Sequence, residues 1–154
     1  MSDKNNNLVA SSIGLSVVVP VFNELENVEP LILEIQRSLE NAITYEMIFV
    51  DDSSSDATLN KLVQLNSSIN QLRVLSHKKR FGQSAAVYTG VKAARAPLVV
   101  TLDGDGQNNP SDLPKMINLI KGYKNQLTLI GGVRVNRKDS KSRIWATSFA
   151  KYCR

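Results

Sequence analysis

Asp103 and Asp105 stand two residues apart directly behind the apolar run Leu98–Leu102, with Gly104 between them. On a tight turn, two carboxylates at this spacing can approach one hard cation, and Gln107 can add a neutral oxygen. Mg2+ and Mn2+ favour oxygen donors and are often held by one or two carboxylates plus a substrate's phosphates. Gly104 and Gly106 let the backbone bend close to such a ligand. An ordinary acidic turn that caps a helix has the same composition, so the three residues alone do not decide. A second acidic pair, Asp51-Asp52, can accept hydrogen bonds from a base edge or a ribose. The stretch Phe81-Gly82-Gln83-Ser84-Ala85-Ala86 opens a helix whose first amides suit a phosphate, and a plain strand-to-helix turn fits it equally. His77 is the only histidine; lying among Lys78, Lys79 and Arg80, it reads as a surface residue rather than a general base. Cys153 has no second cysteine to pair with and receives no role.

These residues need strands that end and helices that begin beside them. Leu15–Val19 is a β-branched run closed by Pro20 and reads as a buried strand. From Asn27, helical spacing places Val28, Leu31, Ile32, Ile35 and Leu39 on one face. Tyr45–Val50 reads as a second strand. Asp56–Leu65 reads as a second helix, with Leu59, Leu62 and Val63 inward and Ser55 or Asp56 as its cap. The alternation continues with strand Leu72–Leu75, helix Gln83–Ala94, strand Leu98–Leu102, helix Ser111–Ile120 and a fifth strand, Leu127–Ile130. A further helix is sketched over residues 141–152. Five strands separated by four helices predict an α/β, Rossmann-like, mostly parallel sheet with helices on both faces. In such sheets ligands sit beyond the carboxyl ends of the strands, where residues 20–24, 51–56 and 103–107 all fall.

The 154 residues suffice for one domain with its own core, and 42% hydrophobic with 21% charged residues exclude global disorder. One cysteine excludes an intrachain disulfide framework and suits a reducing cytosol. No apolar run approaches a membrane helix, and residues 1–14 read as a polar, flexible leader without the apolar stretch of a signal peptide. The net charge of +5 is uneven: residues 1–133 hold 12 Lys/Arg against 13 Asp/Glu, and residues 134–154 hold seven against one. That basic end suits a phosphate-bearing ligand or an anionic surface, or else a solvated tail. Neither Gly-x-Gly-x-x-Gly nor Gly-x-x-x-x-Gly-Lys-Ser/Thr is present, which argues against dinucleotide and P-loop sites.

Taken together, Val18-Val19-Pro20-Val21-Phe22-Asn23-Glu24, Val50-Asp51-Asp52-Ser53-Ser54-Ser55-Asp56, Phe81–Ala86, Asp103-Gly104-Asp105-Gly106-Gln107 and Gly132-Val133-Arg134 resemble family 2 glycosyltransferases of the GT-A fold. Each string is modestly specific; five in the family's order are very specific. The Gly82-Gln83 pair, residues 103–107 and residues 134–139 point to the polyprenyl-phosphate branch, the dolichyl- or undecaprenyl-phosphate sugar transferases. The resemblance spans residues 15–154 and implies transfer of a sugar, such as mannose or glucose, from a nucleotide-diphosphate donor to a polyprenyl phosphate. It implies that Pro20, Phe22, Glu24, Val50 and Asp52 line base and ribose, with Gly104 beside the nucleotide and Arg134 on phosphate. It further implies that Asp103, Asp105 and Gln107 hold Mg2+ or Mn2+, with Asp105 the catalytic member.

Two residues depart from the family's pattern. Ser53 replaces a usual glycine, which predicts a turn that is strained or differently shaped, and Phe22 stands where tyrosine is frequent. Residues 15–133 are expected to form the nucleotide-sugar-binding domain, and residues 134–154 to begin an acceptor half that this chain lacks. The expected location is cytoplasmic, peripheral on the membrane's cytoplasmic face, with no nucleic-acid partner. Two other readings stay open: a nucleotide-binding remnant without turnover, and a receiver-like signalling domain suggested by Val50-Asp51-Asp52-Ser53. A complete βα unit before that pair argues against the receiver. A calcium loop is poor, because Pro114 falls where the loop needs glutamate.

Overall fold

The computed structural model describes residues 13–122. The leader up to residue 12, the fifth strand Leu127–Ile130, Arg134 and the basic segment 134–154 lie outside the described residues. The described part opens with β1 (Leu15–Val21), α1 (Val28–Leu39), β2 (Tyr45–Asp51) and α2 (Thr58–Asn66). It continues with β3 (Leu72–Ser76), α3 (Gln83–Ala93), β4 (Leu98–Thr101), a 3-10 turn at Pro110–Asp112 and α4 (Leu113–Lys121). The four strands are all parallel in the order β3-β2-β1-β4.

The strands form where β-branched and aromatic residues run unbroken, because both faces of this sheet are covered. Every residue of β1 is buried. Its alternate side chains feed two cores, as a period of two requires. Val17, Val19 and Val21 join Met47, Phe49 and the apolar faces of α1, α2 and α4 on one side. Val18 joins Ile48, Val50 and Ala86 of α3 on the other. In α1, the five residues expected inward are the five that are buried.

β1 runs through Pro20, where the sequence predicts a stop. The pairing explains why. Asp52 N donates to Val21 O on the β2 side, and Leu102 N donates to Val18 O on the β4 side. Pro20 therefore faces β4, which has already ended at Thr101, so its missing N–H removes no ladder bond.

Helix α2 begins at Thr58, two residues after its expected start, with Asp56 Oδ1 accepting from Thr58 N at 2.9 Å. Its inward residues are Thr58 and Leu62, whereas Val63 is exposed. The buried stripe runs through Thr58 and Leu62, and Val63, one position on from Leu62, lies to its solvent side. The last helix splits: Asn109 accepts from Ser111 N at 3.0 Å, a single 3-10 turn follows, and Leu113 and Ile117 then face the core.

Candidate functional site

The loops after β1 and β2 are laced together at the carboxyl ends of the strands. Asn23 adopts a left-handed conformation, φ 56°. Its Oδ1 accepts from Ser55 N at 2.8 Å, and its own N–H donates to Ser54 Oγ at 2.9 Å. Glu24 N donates to Thr58 Oγ1 at 2.9 Å, which ties the start of α1 to the start of α2. Ser53 has φ 63°, so the expected strain at this glycine-replacing position is present, at a cost of about 1–2 kcal/mol.

Asp52 lies behind these loops and is almost fully buried. Its Oδ1 accepts from Phe81 N at 2.9 Å and lies 2.8 Å from His77 Nδ1, and its Oδ2 accepts from Gly82 N at 2.6 Å. Burial works to raise this carboxyl's pKa; the Phe81 amide, His77 and the Gly82 amide together outweigh it and hold the pKa below the usual range. Two amides of the stretch that the sequence offers to a phosphate, those of Phe81 and Gly82, are thus taken by an acid of the chain itself. His77 is not on the surface: its side chain is only 13% exposed. The ionised Asp52 accepts only, so Nδ1 carries a proton, and Nε2 meets Thr89 Oγ1 of α3 at 2.9 Å. The Phe81 ring stands edge-on to the imidazole, centroids 5.3 Å apart. Asp52, His77 and Thr89 therefore bind the ends of β2 and β3 to α3. The sequence gives no sign of this arrangement, because the partners come from three elements.

The Asp103–Gln107 turn follows β4. Asp103 N donates to Asn108 Oδ1 at 3.0 Å, and Gln107 N donates to Asp105 Oδ1 at 3.0 Å. Gly104 is buried, and a Cβ there would lie 2.8 Å from Pro20 O and 2.7 Å from Val21 Cγ1. Gly104 thus packs closely on β1. Gly106 has φ 72°, a turn conformation that glycine adopts without strain. Gln83, the first residue of α3, donates through Nε2 to Asp103 Oδ1 at 2.8 Å. Pro20, Gln83, Ser84, Val87, Thr101, Leu102 and Asp103 line a cavity of about 340 Å³, within the range of small-molecule sites.

Of the residues expected at the site, Pro20 and Asp103 meet in this cavity. Asp105, Gly106 and Gln107 are exposed beside it. Phe22 is half-buried, with the Arg80 guanidinium 3.8 Å from its ring centroid. Glu24 Oε2 accepts from Asn27 Nδ2 at 2.6 Å. Val50 offers no side-chain surface, being wholly buried against the α3 side. Among the described residues no group of three His, Cys, Asp or Glu gathers as a metal cage. The donors at 103 and 105 are hard oxygens on one turn, which fits a cation completed by substrate phosphates. A larger hollow, about 650 Å³, is lined by Leu33, Arg37, Glu40 and Tyr45 among others at the opposite ends of the strands. It holds none of the acids expected at the site.

The family model for glycosyl transferase family 2 matches residues 16–152. A dodecaprenyl-phosphate galacturonate synthase from Rhizobium johnstonii is 38% identical over 88% of this chain and 40% of its own length. An undecaprenyl-phosphate 4-deoxy-4-formamido-L-arabinose transferase from Photorhabdus laumondii is 35% identical over 82% and 38%. The chain thus spans about two fifths of the length of these relatives. Among solved structures, Staphylococcus aureus TarS in complex with UDP-GlcNAc superposes with a TM-score of 0.61 at 21% identity, over 81% of this chain and 37% of that one. Mannosyltransferase PcManGT from Pyrobaculum calidifontis, in complex with GDP-Man and Mn2+, gives 0.59 at 23% identity, over 67% and 31%. Those two likenesses bear on the fold, a parallel α/β sheet shared with known glycosyltransferases, and the match along residues 16–152 bears on ancestry: the chain belongs to glycosyl transferase family 2.

Proposed function

We propose that this chain is the donor-binding part of a glycosyltransferase that moves a sugar from a nucleoside diphosphate to a polyprenyl phosphate. The observation that carries the reading is the meeting of Pro20 and Asp103 in one cavity at the carboxyl ends of a parallel sheet. The names of the two relatives, both polyprenyl-phosphate enzymes, support the acceptor class.

In the reaction, an oxygen of the acceptor phosphate attacks the anomeric carbon. A new carbon–oxygen bond forms, the bond to the donor diphosphate breaks, and nucleoside diphosphate leaves with the electron pair. A phosphomonoester has a second pKa of about 6, so near neutral pH the nucleophile is largely ionised and needs little help from a base. This agrees with a site whose single histidine is committed to Asp52 and Thr89. Asp103 and Asp105 are the residues we assign to Mg2+ or Mn2+, with Gln107 beside them and Asp105 the catalytic member. When bound there, the cation supplies neutralisation of charge on the leaving diphosphate. Phe22 and Glu24 are assigned to the nucleoside, Gly104 shapes the wall between β1 and the turn, and Arg134 is assigned to phosphate. Asp52 acts on the nucleoside by holding the Phe81–Gly82 turn in place.

A calorimetric panel of UDP, GDP and their sugars, each with Mn2+, tests the reading. Binding of one base series is expected. Failure of every member to bind contradicts it.

A further inference from the structure

No Asp or Glu occurs between Asp56 and Asp103, yet this stretch carries Lys61, Arg73, Lys78, Lys79, Arg80, Lys92 and Arg95. Two of the seven are neutralised: Lys61 by Glu29 at 2.6 Å and Arg73 by Glu46 at 2.7 Å. Among the described residues the other five have no acidic partner, and all five are exposed. The near-neutral total of residues 1–133 conceals this run.

Lys92 stands on α3 itself, Lys78 and Lys79 precede the helix and Arg95 follows it, whereas Arg80 is turned to the Phe22 ring. The helix packs through Ala86 and Gly90 onto Val18, Ile48 and Val50. The opposite face carries Tyr88, Val91 and Lys92, and Phe81 stands at its amino end. Phe81 is 58% exposed, Tyr88 64% and Val91 42%. Lys79 Nζ lies 5.2 Å from the Phe81 ring centroid, and Lys92 Nζ lies 5.7 Å from that of Tyr88. Protruding aromatic and aliphatic groups bracketed by cations, with no acid among them, match the chemistry of an anionic bilayer surface. Aromatic rings settle at headgroup depth and cations meet lipid phosphates. Val91 has no use against a nucleic acid, where it can neither pair nor stack. The amino end of the same helix contributes Gln83, Ser84 and Val87 to the cavity.

We propose that the outer face of α3, with Lys78, Lys79 and Phe81 ahead of it, is the surface on which this protein lies against anionic phospholipid. The inference rests on the function proposed above, since a polyprenyl phosphate resides in a bilayer and this face would set the cavity's mouth beside it.

Co-sedimentation of the full 154-residue chain with vesicles tests the proposal, comparing pure phosphatidylcholine with an equal mixture of phosphatidylcholine and phosphatidylglycerol. Binding should require the anionic lipid and weaken as the screening length shrinks from about 10 Å at 0.1 M salt to about 3 Å at 1 M. Lys79→Gln and Lys92→Gln should each lower affinity about 5-fold, which corresponds to about 1 kcal/mol per basic residue at such a surface. Tyr88→Ser should lower it further. Lys61→Gln removes the same charge from α2, on the sheet's other face, and should change nothing. Equal losses from Lys61→Gln and Lys92→Gln would overturn the assignment. So would a loss seen only when Arg137, Lys138, Lys141 and Arg143 become Gln, or displacement from vesicles by a homopolymer RNA at lower concentration than by anionic lipid. Nucleotide titrations separate the two proposals: a wild-type chain that binds nucleotide but not the anionic vesicles removes this one alone, and variants that lose vesicle binding should keep their nucleotide binding.

Discussion

At Asp52 one carboxylate answers donors from two segments, the Phe81–Gly82 turn and His77. Asp52→Asn keeps the shape and turns one acceptor into a donor facing a backbone amide or the imidazole. Leaving a buried donor unpaired costs about 1–3 kcal/mol, so the urea midpoint should fall by that equivalent. The loosened turn should also weaken UDP or GDP while sparing inorganic diphosphate; equal weakening of both would show a general electrostatic role instead. The acids at 103 and 105 are legible in the sequence as members of one turn, because their spacing alone puts both on it. Asp52, His77 and Thr89 are not legible. They lie 25 and 12 residues apart, and only the parallel order of β2 and β3 and the seating of α3 bring them together. His77 looks like a surface residue because its sequence neighbours are cations; its actual neighbours are a carboxylate and a hydroxyl.

The elements were readable where their pattern is their cause. The inward face of α1 follows from its 3.6-residue period, and the four strands follow from apolar runs bounded by turn residues. Boundaries set by other elements were less readable. β1 passes through Pro20 because β4 has already ended, a fact about the neighbour. α2 starts late because Asn23 ties Ser55 and Asp56 into the loop and Asp56 caps Thr58 N. Helix α3 sits on the sheet through Gly90, where a Cβ would be 3.2 Å from Val50 Cγ2 and nearer still to Val18 Cγ1. Both neighbours are β-branched and stiff at χ1, so they cannot yield cheaply. In an exposed helix Gly→Ala stabilises; at this position overpacking should reverse the sign. Gly90→Ala should destabilise by about 1–3 kcal/mol in denaturant unfolding, and any gain in stability would mean that α3 stands further from the sheet.

Among the described residues, the buried carboxylates Glu46 and Asp52, with the exposed Asp56, have pKa values held down in the fold and shape the response to acid. Burial tends to raise the pKa of Glu46, and its bonds to Arg73, Ser16 and the Arg95 amide more than offset this, so its pKa, like that of Asp52, is held down in the folded state. A depressed folded pKa means stability fully present above the unfolded values, about 3.9 for Asp and 4.3 for Glu, and lost as pH falls through the folded ones. The melting temperature should hold from pH 7 to about 5 and fall below about 4, and Glu46→Gln should shallow that fall. At the cavity, the proposed role of Asp103 and Asp105 is to hold a nucleoside diphosphate through a cation. Isothermal calorimetry with the preferred diphosphate, in Mn2+ and in EDTA, on wild type and Asp105→Ala, tests it most directly. Binding should be at least about 10-fold tighter with Mn2+, a difference of about 1.4 kcal/mol, with no such difference in a still-folded Asp105→Ala. Equal affinity of the wild-type chain in Mn2+ and in EDTA would contradict it.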